Sequence, residues 1–352
     1  MATLQGFEMA TLSATDLVRV VAAVMHREFV IACRKLQAEG EDDIKMPPLL
    51  PSTDSFYRPD LISASLVADC GYAAALIANA FSSVDADRYC ARLQESKGTA
   101  DPAIDRELRR YGRCYGRSQS AYTAPCTMVD KFGNILAWYL PNILTHKRQQ
   151  FSANKPIPGE SKPSWRRNEQ NFIQPPNPAA PLGAPTFAPA WYPIGSPSEK
   201  PTTSATLSGD KRESGLHFLD EMAETNALMA AILSVIHPEQ FQIGVRAHQT
   251  LGNAEPLREV LAHWPSCFTA LQVINNRVSP LHTDPGAPYP AFDVIASIGD
   301  YTGGHIILPT LPVDFQQPPG SVLAFCARML PHSVEKFVGD RISFAWFMKD
   351  RV

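Results

Sequence analysis

The sequence predicts an α+β fold in which helices come first and β-structure closes the chain. The first hundred residues carry apolar side chains at helical spacing, whereas short β-rich runs alternate with Pro- and Gly-containing turns from Cys267 onward. The length of 352 residues, with 45% hydrophobic and 19% charged residues, is typical of a globular protein with a large buried core. We therefore expect a helical N-terminal region, residues 1–120, packed on a β-rich domain, residues 121–352.

Three helices are predicted in the N-terminal region. The first covers residues 11–38, where Ser13 or Thr15 can cap the N-terminus. The second covers residues 59–81, which are rich in Ala and Leu, and the third covers residues 83–96. No apolar run reaches the ~18 residues that span a bilayer, so no membrane segment is expected.

The middle of the chain changes character twice. Residues 127–139 hold two apolar runs around Gly133, which predicts a β-hairpin with Gly133 in its turn. Residues 152–215 form a Pro-rich insert that contains 12 of the chain's 31 prolines, and regular structure is not expected there because proline lacks a backbone donor. Residues 216–236 return to helical periodicity and end before His237-Pro238.

Six strand candidates follow Cys267, at the spacing of a sandwich or small barrel. They are residues 268–275, 291–298, 304–308, 321–326, 332–338 and 341–348. The seven cysteines include no CxxC pair, so we expect reduced, buried thiols rather than a disulfide framework or a zinc finger.

Two histidines and one aspartate in this β-region form a candidate metal site. In His282-Thr283-Asp284 the outer two side chains point to the same face of an extended segment. His332 follows on another strand candidate, 48 residues after Asp284. Two imidazoles and one carboxylate make the facial triad that holds Fe(II) and leaves coordination positions open. A lone HxD pattern is weak, since a single histidine in a β-core is more often a packing residue.

Arg341 strengthens the prediction. It lies nine residues after His332, on the next strand candidate, among apolar neighbours that fit a surface charge poorly. A guanidinium there can bind the distal carboxylate of 2-oxoglutarate through two hydrogen bonds, with the Ser343 hydroxyl on the same face. The combination predicts a site for Fe(II), 2-oxoglutarate and O2.

These motifs, in this order, resemble the 2-oxoglutarate oxygenases and, more narrowly, the TET/JBP-like group expanded in mushroom-forming fungi. The likeness covers residues 127–139 and 216–352, and its motifs are Val129–Pro141, Asn275–Arg277, the HxD, Pro319–Phe325, Leu330–Val334 and Gly339–Ser343. The resemblance implies a double-stranded β-helix, of the jelly-roll or cupin-like kind, with flanking helices. It also implies oxidation of the methyl group of a methylated base in DNA, 5-methylcytosine or N6-methyladenine, flipped out of its stack.

The resemblance also implies roles for further residues. Phe347 matches the aromatic that stacks on the base, although a strand aromatic is otherwise more often core. Arg277 resembles a position that contacts the co-substrate, but a structural ion pair is an equal alternative. Asp293 or Asp300 could read an amino group of the base, and the sequence does not choose between them.

A basic run, residues 106–117, is the best candidate for contacts to DNA phosphates, although a charge run is as often a solvated face. Its candidate contacts are Arg109, Arg110, Arg113 and Arg117, and the surface could extend to Lys147, Arg148, Arg166 and Arg167. The net charge of −3 gives no global attraction to nucleic acid. The implied partner is methylated duplex DNA, which makes a nuclear monomer the expectation.

Two other functions stay open. A 2-oxoglutarate hydroxylase acting on a protein or a small molecule would keep the chemistry and change the substrate. A non-catalytic β-helix that serves as a binding module would keep only the fold, although four polar groups directed into a core argue against it.

Overall fold

The computed structural model describes residues 12–39, 54–80, 83–86, 121–130, 133–154, 171–173, 183–192, 200–311, 313–349 and 352. The basic run at residues 106–117, together with Arg166 and Arg167, lies outside these described residues. In the described part no helix is long and apolar enough to cross a membrane.

Two capped helices form the N-terminal region. Helix α1 (Ala14–Ala38) begins at Ser13, whose Oγ accepts a hydrogen bond from the Asp16 amide at 3.1 Å. Helix α2 (Ala64–Asn79) begins after Ser63, whose Oγ caps the Leu66 amide in the same way. The first two predicted helices are confirmed, with the start of the second replaced by a short 3-10 turn, Pro59–Leu61.

Five further helices follow in the described residues, and one of them is almost completely buried. They are α3 (His146–Ala153), α4 (Arg212–Glu221), α5 (Ala223–Ile236), α6 (Pro238–Leu251) and α7 (Glu255–Ala262). Every residue from Thr225 to Ile236 is buried, because α5 packs against α1, α2 and the sheet. The helix predicted over residues 216–236 is therefore two helices, α4 and α5, joined at Met222, and the sequence analysis left α6 and α7 unassigned.

Eleven strands are present in the described residues. They are β1 (Ser83–Ala86), β2 (Cys126–Asp130), β3 (Ile135–Leu140), β4 (Thr186–Phe187), β5 (Ala270–Asn275), β6 (Asp293–Gly303), β7 (Ile306–Ile307), β8 (Asp314–Phe315), β9 (Ser321–Phe325), β10 (Ser333–Val334) and β11 (Phe337–Phe347). The large sheet has the order β1-β2-β3-β9-β6-β11-β5-β4, and a small sheet has the order β10-β7-β8. All pairs are antiparallel except β1 with β2. This mixed fold confirms the predicted α+β class with a double-stranded β-helix core and a helical N-terminus.

The alternation of β11 separates the helical core from the site. Phe344 and Trp346 face the helices, and the Trp346 indole donates a hydrogen bond to Asn226 of α5 at 3.0 Å. Arg341, Ser343 and Ala345 point to the opposite face and line a cavity. One strand thus anchors the core on one side and builds the site on the other.

The secondary-structure predictions for residues 83–96 and for the Pro-rich insert are wrong. Residues 83–86 are strand β1, paired in parallel with β2, rather than the start of a helix, and residues 87–96 lie outside the described part. The Pro-rich insert does contain regular structure, since β4 pairs with β5. Gly183 and Pro185 accept backbone hydrogen bonds from β5, which is possible because proline loses only its donor and keeps its carbonyl.

The hairpin and the cysteines are as predicted. Strands β2 and β3 pair around Gly133, whose φ of +82° the turn requires. Five cysteines lie in the described residues, and all are free and buried: Cys33, Cys70, Cys126, Cys267 and Cys326.

Arg148 is not part of a DNA-binding surface. Its side chain is only 2% exposed and pairs with Asp69 and Glu224, each at 2.8 Å. Helix α3 places it against α2 and α5, where it joins three helices. Lys147, its neighbour, is exposed.

Candidate metal and co-substrate site

The side chains of the three predicted metal ligands lie close together, although none of the three residues belongs to a named strand. His282 and His332 form an isolated antiparallel bridge, in which each amide donates to the other's carbonyl at 2.9–3.0 Å. The Asp284 amide donates to the Ala327 carbonyl at 3.0 Å, which holds the HxD segment against the loop that leads to His332. One ligand atom from each of His282, Asp284 and His332 lies within 4.8 Å of the others. The three side chains could therefore hold one metal ion.

Both imidazoles keep the same nitrogen, Nε2, available for a metal ion. Nδ1 of His282 donates to the Pro280 carbonyl at 2.7 Å, and Nδ1 of His332 donates to the Leu330 carbonyl at 3.0 Å. Because a carbonyl only accepts, Nδ1 carries the proton and Nε2 keeps its lone pair for a metal. Burial, together with the nearby His282, lowers the pKa of His332 to about 4, so this ring is neutral at physiological pH.

Arg341 is a buried cation in the cavity wall. Its Nη2 donates to Ser297 at 2.8 Å, and its guanidinium lies 5.5 Å from the Tyr301 ring centroid and 5.6 Å from that of Phe337. Within the described residues its Nε has no hydrogen-bond partner and no carboxylate pairs with it. Burial lowers the pKa of Arg341, since the charged form loses water. This guanidinium has donors available for an anionic ligand.

A serine pair beside Arg341 includes one residue that sequence reasoning missed. Ser343 and Ser297 face each other across β11 and β6, with their hydroxyl oxygens 3.0 Å apart. Ser343 was predicted, whereas Ser297 was not. The alternation of side chains along β6 could have identified Ser297, because it places Ser297 on the same face of the sheet as the polar residues of β11.

A cavity of about 110 Å³ connects these groups. It is lined by Arg341 and Ser343 at one end and by the three candidate metal ligands, and Arg277 and Gln272 contribute further polar groups. Arg277 is 8% exposed, and its Nη1 lies 3.5 Å from the Ser279 hydroxyl. The structure therefore brings Arg277 into the cavity wall, and its contact with the co-substrate stays a prediction.

The two candidate base-reading aspartates differ in burial. Asp300 is exposed and is not among the residues that line the cavity. Asp293 is buried, and its Oδ1 has no hydrogen-bond partner among the described residues. Burial and the proximity of Asp284 raise its pKa well above the usual value, while Lys349 acts in the opposite direction.

Phe347 lies at the other end of β11 from Arg341. It is half-buried and points to the same face as Arg341, Ser343 and Ala345, two residues beyond the last of these. The candidate DNA contacts Arg109, Arg110, Arg113 and Arg117 lie outside the described residues.

Residues 190–350 match the family model of the Tet_JBP oxygenase domain of the 2OGFeDO superfamily. The match covers less than half of the chain, and it includes all three candidate metal ligands, Arg341 and the serine pair. Over these residues the chain is similar to an oxygenase domain of the 2OGFeDO superfamily.

Three solved structures are similar to this chain. NgTET1 in complex with 5mC DNA has a TM-score of 0.45 at 15% identity, covering 68% of this chain and 83% of that one. OsALKBH1 has a TM-score of 0.28 at 13% identity, covering 60% of this chain and 97% of that one. A full-length Neurospora crassa protein in complex with alpha-KG has a TM-score of 0.26 at 16% identity, covering 60% and 75%. No curated protein matches the chain in sequence.

The residues present fit the metal and the co-substrate of the Tet_JBP family. Two imidazoles and a carboxylate are the donor set of the Fe(II) facial triad. The partnerless Nε of buried Arg341 fits a carboxylate, which accepts two hydrogen bonds from one guanidinium. Fe(II) would be held by the three convergent side chains, and 2-oxoglutarate would supply the carboxylate that Arg341 lacks among the described residues.

Proposed function

We propose that this oxygenase oxidises the methyl group of a methylated base in DNA, 5-methylcytosine or N6-methyladenine. In this proposal His282, Asp284 and His332 hold Fe(II), Arg341 and Ser343 bind the distal carboxylate of 2-oxoglutarate, and Arg277 lines the same co-substrate pocket. When bound, the iron, 2-oxoglutarate and O2 supply the oxidising power, and the co-substrate leaves as succinate and CO2. The chain's own residues orient both substrates and exclude water.

The site has two ends, and the second end supports a base as substrate. Phe347 lies six positions beyond Arg341 on an extended strand, which is a distance of about 20 Å. Arg341 and the serine pair thus occupy the co-substrate end, whereas Phe347 and the buried Asp293 lie toward the opposite end. An aromatic face and a buried carboxyl with a partnerless oxygen suit a planar ring that carries a polar edge. This arrangement is the observation that carries the proposal.

A base inside a duplex cannot reach a buried metal, so the target nucleotide must leave its stack. Stacking on Phe347 would compensate for the lost stacking in the duplex, at about 1–3 kcal/mol per base. Asp293 would then meet the exocyclic amino group, since its Oδ1 has no other partner among the described residues. Both methylated bases carry such a nitrogen, so the choice between them belongs to experiment.

The test measures succinate and oxidised nucleosides together. Purified protein is incubated with Fe(II), 2-oxoglutarate and duplexes that carry either 5-methylcytosine or N6-methyladenine, and the nucleosides are analysed by mass spectrometry. His282→Ala removes a proposed metal ligand, and His217→Ala, which changes an exposed histidine of α4, is the matched control. Oxidised base from the wild type and the control, but not from His282→Ala, is the expected result.

Two outcomes would contradict the proposal. Succinate without oxidised base would point to a protein or small-molecule substrate. If neither succinate nor oxidised base forms under any condition, the remaining alternative is a non-catalytic binding module.

A further inference from the structure

Asn276 follows directly on strand β5 and lies opposite Arg341. The register of β5 with β11 pairs Asn275 with Ile342, so the next position, Asn276, faces Arg341. Asn276 is completely buried, and its φ of +50° lies in the left-handed region, which Asn tolerates better than most residues with a side chain. The backbone therefore turns away from the sheet at Asn276 while the side chain stays inside.

The Asn276 side chain takes the place of a backbone carbonyl. Two directly opposed residues of a closely spaced antiparallel pair exchange both of their N–H···O bonds. The Asn276 amide donates to the Arg341 carbonyl at 2.8 Å, but the return bond from the Arg341 amide goes to the side-chain Oδ1 of Asn276, at 2.7 Å. The Asn276 carbonyl accepts instead from the amide of Ile173, in the Pro-rich insert, at 2.8 Å. Asn276 thus completes the hydrogen bonding of Arg341 after β5 has ended.

A second hydrogen bond orients this side chain. The Nδ2 of Asn276 donates to Asp340 Oδ1 at 3.1 Å, while the Oδ1 of Asn276 accepts from the Arg341 amide. Since one end of a side-chain amide only donates and the other only accepts, the two bonds fix a single orientation. Asp340 and Arg341 are consecutive residues of β11, so one buried amide holds both of them.

The guanidinium of Arg341 has little other polar support. Its Nη2 donates to Ser297, and no carboxylate in the described part of the chain pairs with it. The residue paired with Arg341 on β6 is Gly299, which has no side chain to contact it. The position of the guanidinium therefore depends on where the backbone of Arg341 lies.

We propose that Asn276 is a positioning residue for 2-oxoglutarate, which acts through the backbone of Arg341. This inference rests on the part of the proposed function that assigns the distal carboxylate of 2-oxoglutarate to Arg341. Asn276 is not among the residues that line the cavity, so it acts without touching the co-substrate. Its left-handed turn also precedes Arg277, which does line the cavity. One buried amide thus links two cations of the cavity wall.

The test measures the binding of 2-oxoglutarate to protein loaded with Mn(II), by isothermal titration calorimetry without DNA. Asn276→Gly removes the side-chain hydrogen bonds and keeps a backbone that adopts a positive φ. Asn142→Gly is the matched control, because Asn142 also has a positive φ, of +56°, and is exposed. We expect the Kd for 2-oxoglutarate to rise about five- to tenfold in Asn276→Gly and to stay at the wild-type value in the control. The Kd for Mn(II) should not change in either variant, since no candidate metal ligand is altered.

A double-mutant cycle shows whether Asn276 acts through Arg341. In the Arg341→Met background, Asn276→Gly should have little further effect on the Kd for 2-oxoglutarate, because the guanidinium that it positions is absent. A general structural role predicts instead that the two effects multiply. Multiplied effects, or a parallel loss of Mn(II) affinity in Asn276→Gly, would overturn the proposal.

Asp340→Ala covers the case in which Asn276→Gly does not fold. Asp340 is partly exposed, so its replacement spares the core, but it removes the acceptor that orients the Asn276 amide. We expect the Kd for 2-oxoglutarate to rise roughly threefold in this variant, and the Arg341 amide to exchange with deuterium faster than in the wild type. A wild-type Kd in Asn276→Gly, or in Asp340→Ala where Asn276→Gly is unfolded, would contradict the positioning role.

The outcomes separate this inference from the proposed function. If the wild type does not bind 2-oxoglutarate, both are overturned. If the wild type binds 2-oxoglutarate but oxidises no methylated base, only the proposed DNA substrate is overturned. If the wild type and Asn276→Gly bind 2-oxoglutarate equally well, only the positioning role of Asn276 is overturned.

Discussion

Arg341 illustrates how one buried residue can lower the stability of the ligand-free protein and still serve ligand binding. Burying a cation without a paired anion costs several kcal/mol, and no carboxylate pairs with Arg341 within the described residues. One hydrogen bond to Ser297 and cation–π contacts with two aromatic rings offset only part of that cost. We expect the binding of a dicarboxylate to recover the rest.

Replacing Arg341 by Met should weaken 2-oxoglutarate binding while sparing the fold. The loss of a charge-assisted, bidentate contact weakens the free energy of binding by about 1.5–3 kcal/mol. We therefore expect the KM for 2-oxoglutarate to rise roughly 10- to 100-fold. The melting temperature without ligand should not fall, because an unpaired buried charge is removed. Steady-state kinetics and thermal unfolding check both statements, with Arg212→Met at an exposed ion pair as control. An unchanged KM would mean that Arg341 is structural.

Metal binding should appear as a gain in stability that depends on the three candidate ligands. A ligand that binds only the folded state stabilises it by mass action, by about 2.7 kcal/mol at a hundredfold excess over Kd. We expect Mn(II) to raise the melting temperature of the wild type and chelation by EDTA to reverse the shift. His332→Ala should lose the shift, and a retained shift would place the metal elsewhere.

At the scale of elements, a buried ion pair joins three helices. Arg148 of α3 contacts Asp69 of α2 and Glu224 of α5, and it is the neighbour of exposed Lys147. Arg148→Met would leave the Asp69 carboxylate buried without its cation, so we expect about 3–5 kcal/mol of lost stability. Lys147→Met, one position away, should change it by less than about 0.5 kcal/mol. Urea unfolding of the two variants measures the contrast, and equal midpoints would show that the ion pair contributes nothing.

Strand β11 shows which element boundaries the sequence could predict. The alternation of Arg341, Ser343 and Ala345 with apolar residues predicted a strand and its polar face, and the structure places both there. The break predicted between residues 338 and 341 is wrong, because Gly339 has a φ of +105° and stays paired. A Cβ there would lie 2.2 Å from the Asp300 carbonyl, so the glycine permits close strand approach instead of a turn. Sequence pattern alone does not distinguish these two uses of glycine.

The candidate site was predictable where chemistry requires a fixed spacing and not where only the fold brings residues together. His282, Asp284, His332 and Arg341 follow from motif spacing, and the structure gathers them around one cavity. Ser297 lies 44 residues before Arg341, and no motif spacing connects the two. Their hydrogen bond depends on the register between β6 and β11, which is a long-range pairing that no local pattern reports.

At the scale of the whole molecule, the cores protect the thiols. Burial raises the pKa of Cys326 to about 11 and those of Cys70 and Cys126 to about 12. A raised pKa keeps a thiol protonated until the pH approaches it, so the reactive thiolate is scarce at pH 8. We expect all five described cysteines to resist iodoacetamide in the native protein and to react in urea, as peptide mass spectrometry can map. Rapid native labelling of Cys70 would contradict its burial.

The pairing of β4 with β5 has a consequence for the protein in concentrated solution. An uncovered rim of a sheet presents a row of unsatisfied amides and carbonyls, which is a template for strand exchange and aggregation. Residues Gly183 to Phe187 satisfy part of that row on β5 and are too short to form a long new rim themselves. The segment from Gly183 to Phe187 therefore covers part of the edge of β5 with which a neighbouring molecule could otherwise pair.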